Sequence, residues 1–216
     1  MVDRSKRWRE FASERASPEE TPRRALIVGC ASCVWDDVRA AFDLCNYHAI
    51  YCVKQMGIHW PGKFEVFVTL HPEAMDSYEH QRKVLGFPDG YQIVAPPAKE
   101  LGMHGEKGNI ARRVSYLWPN SDGSSSASSG IYGAKIALDD GFERAVLAGV
   151  PMTPEGGHFL PETKSVTGGT RGKVWTGCGA FEIGFNNALP YLMNRVKSMS
   201  GRTQKVLGAP TKEWLA

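Results

Sequence analysis

The chain has 216 residues, of which 42% are hydrophobic and 23% charged, as in ordinary water-soluble globular proteins. Its formal net charge of +3 is too small and too scattered to indicate binding to nucleic acid. The sequence has no run of about 18 apolar residues, and its five cysteines lack the spacing of a disulfide framework, so we expect no membrane span and a reducing, cytoplasmic setting.

The first 24 residues, MVDRSKRWREFASERASPEETPRR, mix both signs of charge and contain two prolines. They lack the apolar core of a secretory signal peptide. We therefore predict a charged arm over residues 1–24, mobile or docked on a partner, followed by one domain over residues 25–216.

That domain alternates short apolar runs with segments of helical spacing, which is the pattern of an α/β protein. We predict strands over residues 25–28, 48–55, 63–73, 91–97, 144–150 and 195–199. We predict helices over residues 33–46, 73–87, 129–138 and 180–193, and a short one in the tail. Residues 99–118 are predicted to be mostly loop. The resulting fold class is a single Rossmann-like domain, with a mostly parallel sheet of about six strands and helices on both faces.

Ligands of such sheets bind beyond the carboxyl ends of the strands. This rule nominates the loops that follow Val28, Leu70, Val150 and Met199. Glycine and serine residues occur in two of these loops: Gly29 and Ser32 in VGCAS, and Ser200 in SMSGRT. Each is either a ligand contact or ordinary turn chemistry.

The serine-rich stretch NSDGSSSASSG, residues 120–130, comes directly before a predicted helix. In one interpretation, a flexible loop enters a helix that Ser128 or Ser129 caps. In the other, the helix N-terminus binds a phosphate, because free N–H groups and the helix dipole favour an anion there and Gly130 lets the backbone approach it. Both interpretations stay open.

Three motifs occur in the order found in a known family. GCAS follows the first strand, LHPE follows the third, and SSGIYGAKIALDDGFERAVLAGVPM joins a helix to a strand. Over roughly residues 25–203 the chain thereby resembles the small bacterial sialyltransferases and related phage-borne Rossmann-like domains, which carry G-x-G-P-S-like, N-P and T-S-G motifs at these places. In that family the turn and the T-S-G contact the cytidine nucleotide of the sugar donor.

The resemblance implies binding of a nucleotide or nucleotide sugar by a set of small residues: Gly29, Ala31, Ser32, Ser128, Ser129 and Gly130. It also implies glycosyl transfer. The family's general-base histidine has no counterpart, since residues 171–195 contain no histidine. We expect His158 or His71 to supply the base, because both lie near the ligand edge and an imidazole can accept a proton from a sugar hydroxyl.

No metal site is expected, because the His/Glu and Cys pairs lack a second pair of ligands. No cofactor is expected beyond the nucleotide-sugar donor as substrate, and a divalent ion that bridges phosphates stays open. Cys30 and Cys33 are interpreted as half-buried thiols, with a redox pair as the alternative. Three functions remain: a glycosyltransferase-like enzyme, a nucleotide-binding module without catalysis, and a phage structural or assembly protein that forms a homo-oligomer.

Overall fold

The fold is that of a computed structural model, which describes residues 15–104, 108–119, 128–153, 157–160 and 178–216. Most of the predicted charged arm, residues 1–14, lies outside the described residues. The same is true of residues 120–127 in the serine-rich stretch and of most of the glycine-rich segment before residue 178.

One sheet of seven strands forms the centre of the domain, and all of its strand pairs are parallel. The strands are β1 (Arg24–Val28), β2 (Ala49–Val53), β3 (Val66–Val68), β4 (Gln92–Ala95), β5 (Arg112–Arg113), β6 (Arg144–Ala148) and β7 (Val196–Ser198). Their order across the sheet is β5-β4-β3-β2-β1-β6-β7. The α/β class with a parallel sheet is therefore confirmed, with seven strands where about six were predicted.

The extra strand, β5, lies in the segment that was predicted to be mostly loop. Its two residues pair with the end of β4, in the register Val94 with Arg112 and Ala95 with Arg113. Arg112 is also held by Asp140, with 2.8 Å between Nη2 and Oδ2. Backbone pairing and one ion pair thus define this strand, without any apolar run in the sequence.

The helices are α1 (Val34–Leu44), α2 (Gln55–His59), α3 (Met75–Val84), α4 (Ser129–Asp139), α5 (Cys178–Leu192), α6 (Gly201–Leu207) and α7 (Lys212–Leu215). Short 3-10 turns lie at Pro72–Ala74 and Ala98–Leu101. The tail was predicted to hold one helix and contains two. Gly208 separates them, because its φ of 85° cannot continue a helix.

Alternate side chains of each strand enter two separate cores. Ile27, Tyr51 and Leu147 belong to the core shared with α4 and α5. The neighbouring positions Leu26 and Val146 belong to the core shared with α1 and α3. Helices therefore cover both faces of the sheet, as predicted. No helix in the described part of the chain is long and apolar enough to cross a bilayer.

The direction of strand addition reverses at β1, which lies between β2 and β6. The connection after β1 runs through α1 on one face, whereas the connection into β6 runs through α4 on the other. In open α/β sheets such a reversal marks the edge where ligands bind, beyond the carboxyl ends of the two strands. The loops after Val28 and Ala148 lie at this point.

Candidate functional site

The two glycines at the reversal point, Gly29 and Gly130, both pack against Val150. A Cβ atom on Gly29 would lie 2.4 Å from the carbonyl oxygen of Gly149 and 2.6 Å from the Val150 side chain. A Cβ on Gly130 would lie 2.6 Å from Val150 Cγ1. Because Val150 already occupies this space, packing within the protein accounts for the absence of a side chain at both positions.

The turn after β1 holds Ala31 and Ser32, and its amide groups are already used. The N–H of Ala31 donates to Gly149 O at 3.1 Å, and the N–H of Ser32 donates to Gly157 O at 3.3 Å. Ala31 also forms an antiparallel bridge with His158. Residues 157–160 therefore lie directly on this turn, and the amides of Ala31 and Ser32 are already bonded within the protein.

The N-terminus of α4 differs, because hydrogen-bond donors remain there. The Ile131 N–H donates to Ser128 Oγ at 3.3 Å, which identifies Ser128 as the cap residue. No residue in the described ranges accepts a hydrogen bond from the amides of Ser129 or Gly130. The Ser129 side chain is 6% exposed, and its Oγ has no hydrogen-bond partner among the described residues.

Ser200, the predicted contact after β7, is engaged in the protein's own structure. Its hydroxyl donates to Asp37 Oδ2 at 2.6 Å, and the same carboxylate oxygen accepts the Gly149 N–H at 2.8 Å. Thr203 Oγ1, one turn further, donates to Val150 O at 2.6 Å. These bonds fasten the ends of β6 and β7 to α1, so this edge is stabilised by its polar groups.

His71 and His158, the two candidate bases, differ in which ring nitrogen carries a proton. His71 Nδ1 lies 3.1 Å from Glu73 Oε1, and a carboxylate can only accept, so Nδ1 donates and Nε2 is left unprotonated. His158 Nδ1 accepts the Leu160 N–H at 3.0 Å, so in the neutral ring Nε2 carries the proton. In the neutral rings, His71 Nε2 is therefore unprotonated, whereas His158 Nε2 carries the proton.

Burial lowers the pKa of both imidazoles, and the Lys54 ammonium lowers it further. For His71, the Glu73 carboxylate partly opposes this shift. Both rings are therefore mainly neutral at pH 7, which is the state that the tautomer assignment requires.

Lys54 is the residue of this edge that the sequence analysis missed. It follows β2 directly, at φ 48° and ψ −126°, and begins the turn into α2. Burial lowers its pKa, and its charge acts on Cys30 and Glu73. A lysine immediately after a buried strand was the available signal, but the loop after this strand was not among those nominated.

The two cysteines of the C-x-x-C motif have separate partners. Cys30 Sγ donates to Val53 O at 3.1 Å, whereas Cys33 Sγ lies 3.4 Å from Ser200 Oγ. Burial raises the pKa of each thiol to about 11, so both stay protonated near neutral pH. This argues against the redox alternative. Within the described ranges, no group of three or more His, Cys, Asp and Glu side chains could hold a metal ion.

A depression of about 540 Å³ lies at the opposite, amino edge of the sheet, beside Arg15, Lys63 and Glu65. The Arg15 guanidinium and the Glu65 carboxylate beside it are already bonded within the protein. Arg15 Nε lies 3.1 Å from Glu65 Oε1, and Arg15 Nη2 donates to Lys63 O at 2.7 Å. The carboxyl edge therefore remains the better candidate site.

The structure thus sorts the predicted residues into two groups. Protein contacts account for Gly29, Ala31, Ser32, Gly130 and Ser200, whereas the Ser129 hydroxyl and His71 Nε2 have no hydrogen-bond partner among the described residues. No protein-family model, curated protein or solved structure matches this chain.

Proposed function

We propose that the chain binds a nucleotide or nucleotide sugar at the carboxyl edge, with a phosphate at the N-terminus of α4. The observation that carries this proposal is the buried Ser129 hydroxyl, which lacks a partner among the described residues. A buried hydroxyl without a hydrogen bond costs about 1–3 kcal/mol. A phosphate oxygen would accept from this hydroxyl and from the free amides of Ser129 and Gly130, and the helix dipole would favour its charge.

The activity proposed for this site is transfer of the sugar from a nucleotide donor. His71 is the better general base, because Glu73 fixes its tautomer and leaves Nε2 free to accept a proton from the acceptor hydroxyl. His158 is the weaker candidate for the base, because its Nδ1 already accepts the Leu160 N–H at 3.0 Å.

Binding without turnover is a second candidate function. It is favoured by the turn after β1, because residues 157–160 lie on it and its Ala31 and Ser32 amides are bonded within the protein. In this case nucleotides would raise the melting temperature, and no donor would be hydrolysed.

The test is a thermal-shift and donor-hydrolysis panel of cytidine, uridine and guanosine nucleotides and nucleotide sugars. The wild-type protein is expected to be stabilised by at least one of them. Ser129→Ala removes no described hydrogen bond, so it is expected not to lower the melting temperature of the free protein, and its ligand-induced shift should be smaller than that of the wild-type protein. If hydrolysis is found, His71→Ala is expected to reduce it about 10²–10⁴-fold.

Two results would contradict the proposal. An unchanged melting temperature of the wild-type protein with every nucleotide would remove the binding proposal. Binding with no hydrolysis or transfer from any nucleotide sugar would remove the proposed glycosyl transfer and favour binding without turnover.

A further inference from the structure

Lys54 occupies a backbone conformation that lysine rarely adopts. Its φ of 48° and ψ of −126° lie outside the allowed regions of a residue with a side chain. Lys54 joins β2 to α2 at the carboxyl edge of the sheet, and its N–H donates to Val68 O at 3.0 Å. Strained residues of this kind persist where the surrounding structure imposes them, and they are concentrated at functional sites.

The Lys54 ammonium has no ion-pair partner in the described part of the chain. The side chain is half-buried, between the turn that follows β1 and the turn that follows β3. Its titratable neighbours are a neutral thiol, a carboxylate and two imidazoles: Cys30, Glu73, His71 and His158. The carboxylate is already bound by His71 at 3.1 Å.

We propose that Lys54 binds a second anionic group of the ligand, a carboxylate or a phosphate, at the carboxyl end of β2. The inference deepens the proposed function and rests on it for the nucleotide part of the ligand. β2 and β6 are separated only by β1, and neighbouring strands lie about 4.8 Å apart, so the ends of these two strands lie about 10 Å apart across the sheet. The N-terminus of α4 packs on Val150, just past the end of β6. A nucleoside diphosphate or a nucleotide linked to an acidic sugar carries two such groups.

A purely structural lysine would behave differently on substitution. Lys54→Gly releases the left-handed strain, so we expect the melting temperature to rise by about 2–4 °C. Lys54→Gln keeps the backbone strain and removes only the charge, so little change in melting temperature is expected. A drop in melting temperature in both variants would indicate a structural role and would overturn the inference.

The direct test measures acylation of Lys54 by an amine-reactive acetylating reagent, followed by peptide mass spectrometry. Inorganic pyrophosphate supplies only phosphate groups, and N-acetylneuraminate supplies only a carboxylate. We expect one of these probes to slow acylation of Lys54 at least about fivefold, and the effective probe identifies the anionic group. The exposed Lys83 serves as the internal control and should be acylated at the same rate throughout. Equal acylation of Lys54 with and without every probe would overturn the inference.

Affinity measurements separate this inference from the proposed function. Lys54→Gln is expected to weaken binding of the doubly charged nucleotide ligand by about tenfold or more, and Lys54→Arg is expected to retain most of it. If nucleotides bind the wild-type and Lys54→Gln proteins equally, the inference fails and the proposed function stands. If no nucleotide binds but pyrophosphate still protects Lys54, the proposed function fails and the anion site stands.

Discussion

Arg82 is a buried cation with many hydrogen bonds to the protein, whereas Lys54 is a half-buried cation without a described ion pair. The Arg82 side chain is fully buried, and its guanidinium lies 4.7 Å from the centre of the Phe64 ring. It donates to five backbone carbonyls in α2 and in the segments that lead into β3 and β4, those of Gly57, Ile58, Trp60, Gly62 and Pro88. Lys54, at the other edge of the sheet, forms no ion pair with any described residue.

This difference separates a structural edge from a candidate binding edge. Buried charges are tolerated when hydrogen bonds satisfy them, and the amino edge meets this requirement entirely with its own loops. The carboxyl edge retains the Lys54 ammonium and the Ser129 hydroxyl without described partners. Substitutions at the amino edge should therefore reduce stability, and substitutions of the two unpartnered groups should reduce binding.

The largest effect is expected for Arg82→Met. Loss of the guanidinium removes the hydrogen-bond donors for the five backbone carbonyls, and each buried group left unpaired costs about 1–3 kcal/mol. We expect the free energy of unfolding to fall by more than about 4 kcal/mol, measured by urea denaturation. The exposed neighbour Lys83→Met should change it by less than about 0.5 kcal/mol. A small effect at Arg82 would remove the contrast between the two edges.

An intermediate effect is expected for Gly130→Ala. The new methyl group would lie 2.6 Å from Val150 Cγ1, and such overpacking costs about 1–3 kcal/mol. The double variant Gly130→Ala/Val150→Ala makes room for it, so its cost should fall below the sum of the single costs by about 1 kcal/mol. If the stability costs of the two single variants add up to that of the double variant in urea denaturation, contact with Val150 is not the reason that residue 130 is a glycine.

A smaller effect is expected at the cap of α4. Ser128→Ala removes the bond to the Ile131 N–H and should cost about 1 kcal/mol. The adjacent Ser129→Ala removes a buried hydroxyl that has no described partner, so it should not reduce stability. Equal losses from the two variants in thermal denaturation would mean that the Ser129 hydroxyl is already satisfied in the free protein.

The smallest effect concerns pH. Burial lowers the pKa of His59, His71 and His158 in the folded protein, so the unfolded chain binds protons more readily. Stability should therefore decrease as the pH falls through about 6.5, the value of an unperturbed histidine. Urea midpoints at pH 7.5 and pH 5.5 should differ less in His71→Gln/His158→Gln than in the wild-type protein. If the double variant shows the same difference between the two midpoints as the wild-type protein, His71 and His158 are not the source of the pH dependence. His80→Gln, which changes an exposed histidine, serves as the control.

The sequence was sufficient to predict most of the sheet. Buried parallel strands such as β1 and β6 are continuous apolar runs, and the amphipathic α1 and α3 follow helical spacing. β5 was missed because its two arginines carry no hydrophobic signal and are defined only by pairing with β4. The short α2 was missed because five residues are too few to establish a period.

The candidate site was harder to predict than the fold. Small residues after a strand are equally suited to a ligand and to a close-packed neighbour, and only the positions of Val150 and residues 157–160 distinguish the two. Ser128 was identified as one of two cap candidates because caps depend on local sequence. The backbone conformation of Lys54 depends on tertiary structure, since lysine itself has no preference for positive φ.

Isothermal titration of cytidine monophosphate into the wild-type and Ser129→Ala proteins tests the phosphate site at the N-terminus of α4 most directly. We expect measurable binding to the wild-type protein and an affinity about three- to tenfold lower for Ser129→Ala, without a loss of melting temperature. No binding to the wild-type protein, or equal affinity in the two proteins, would contradict it.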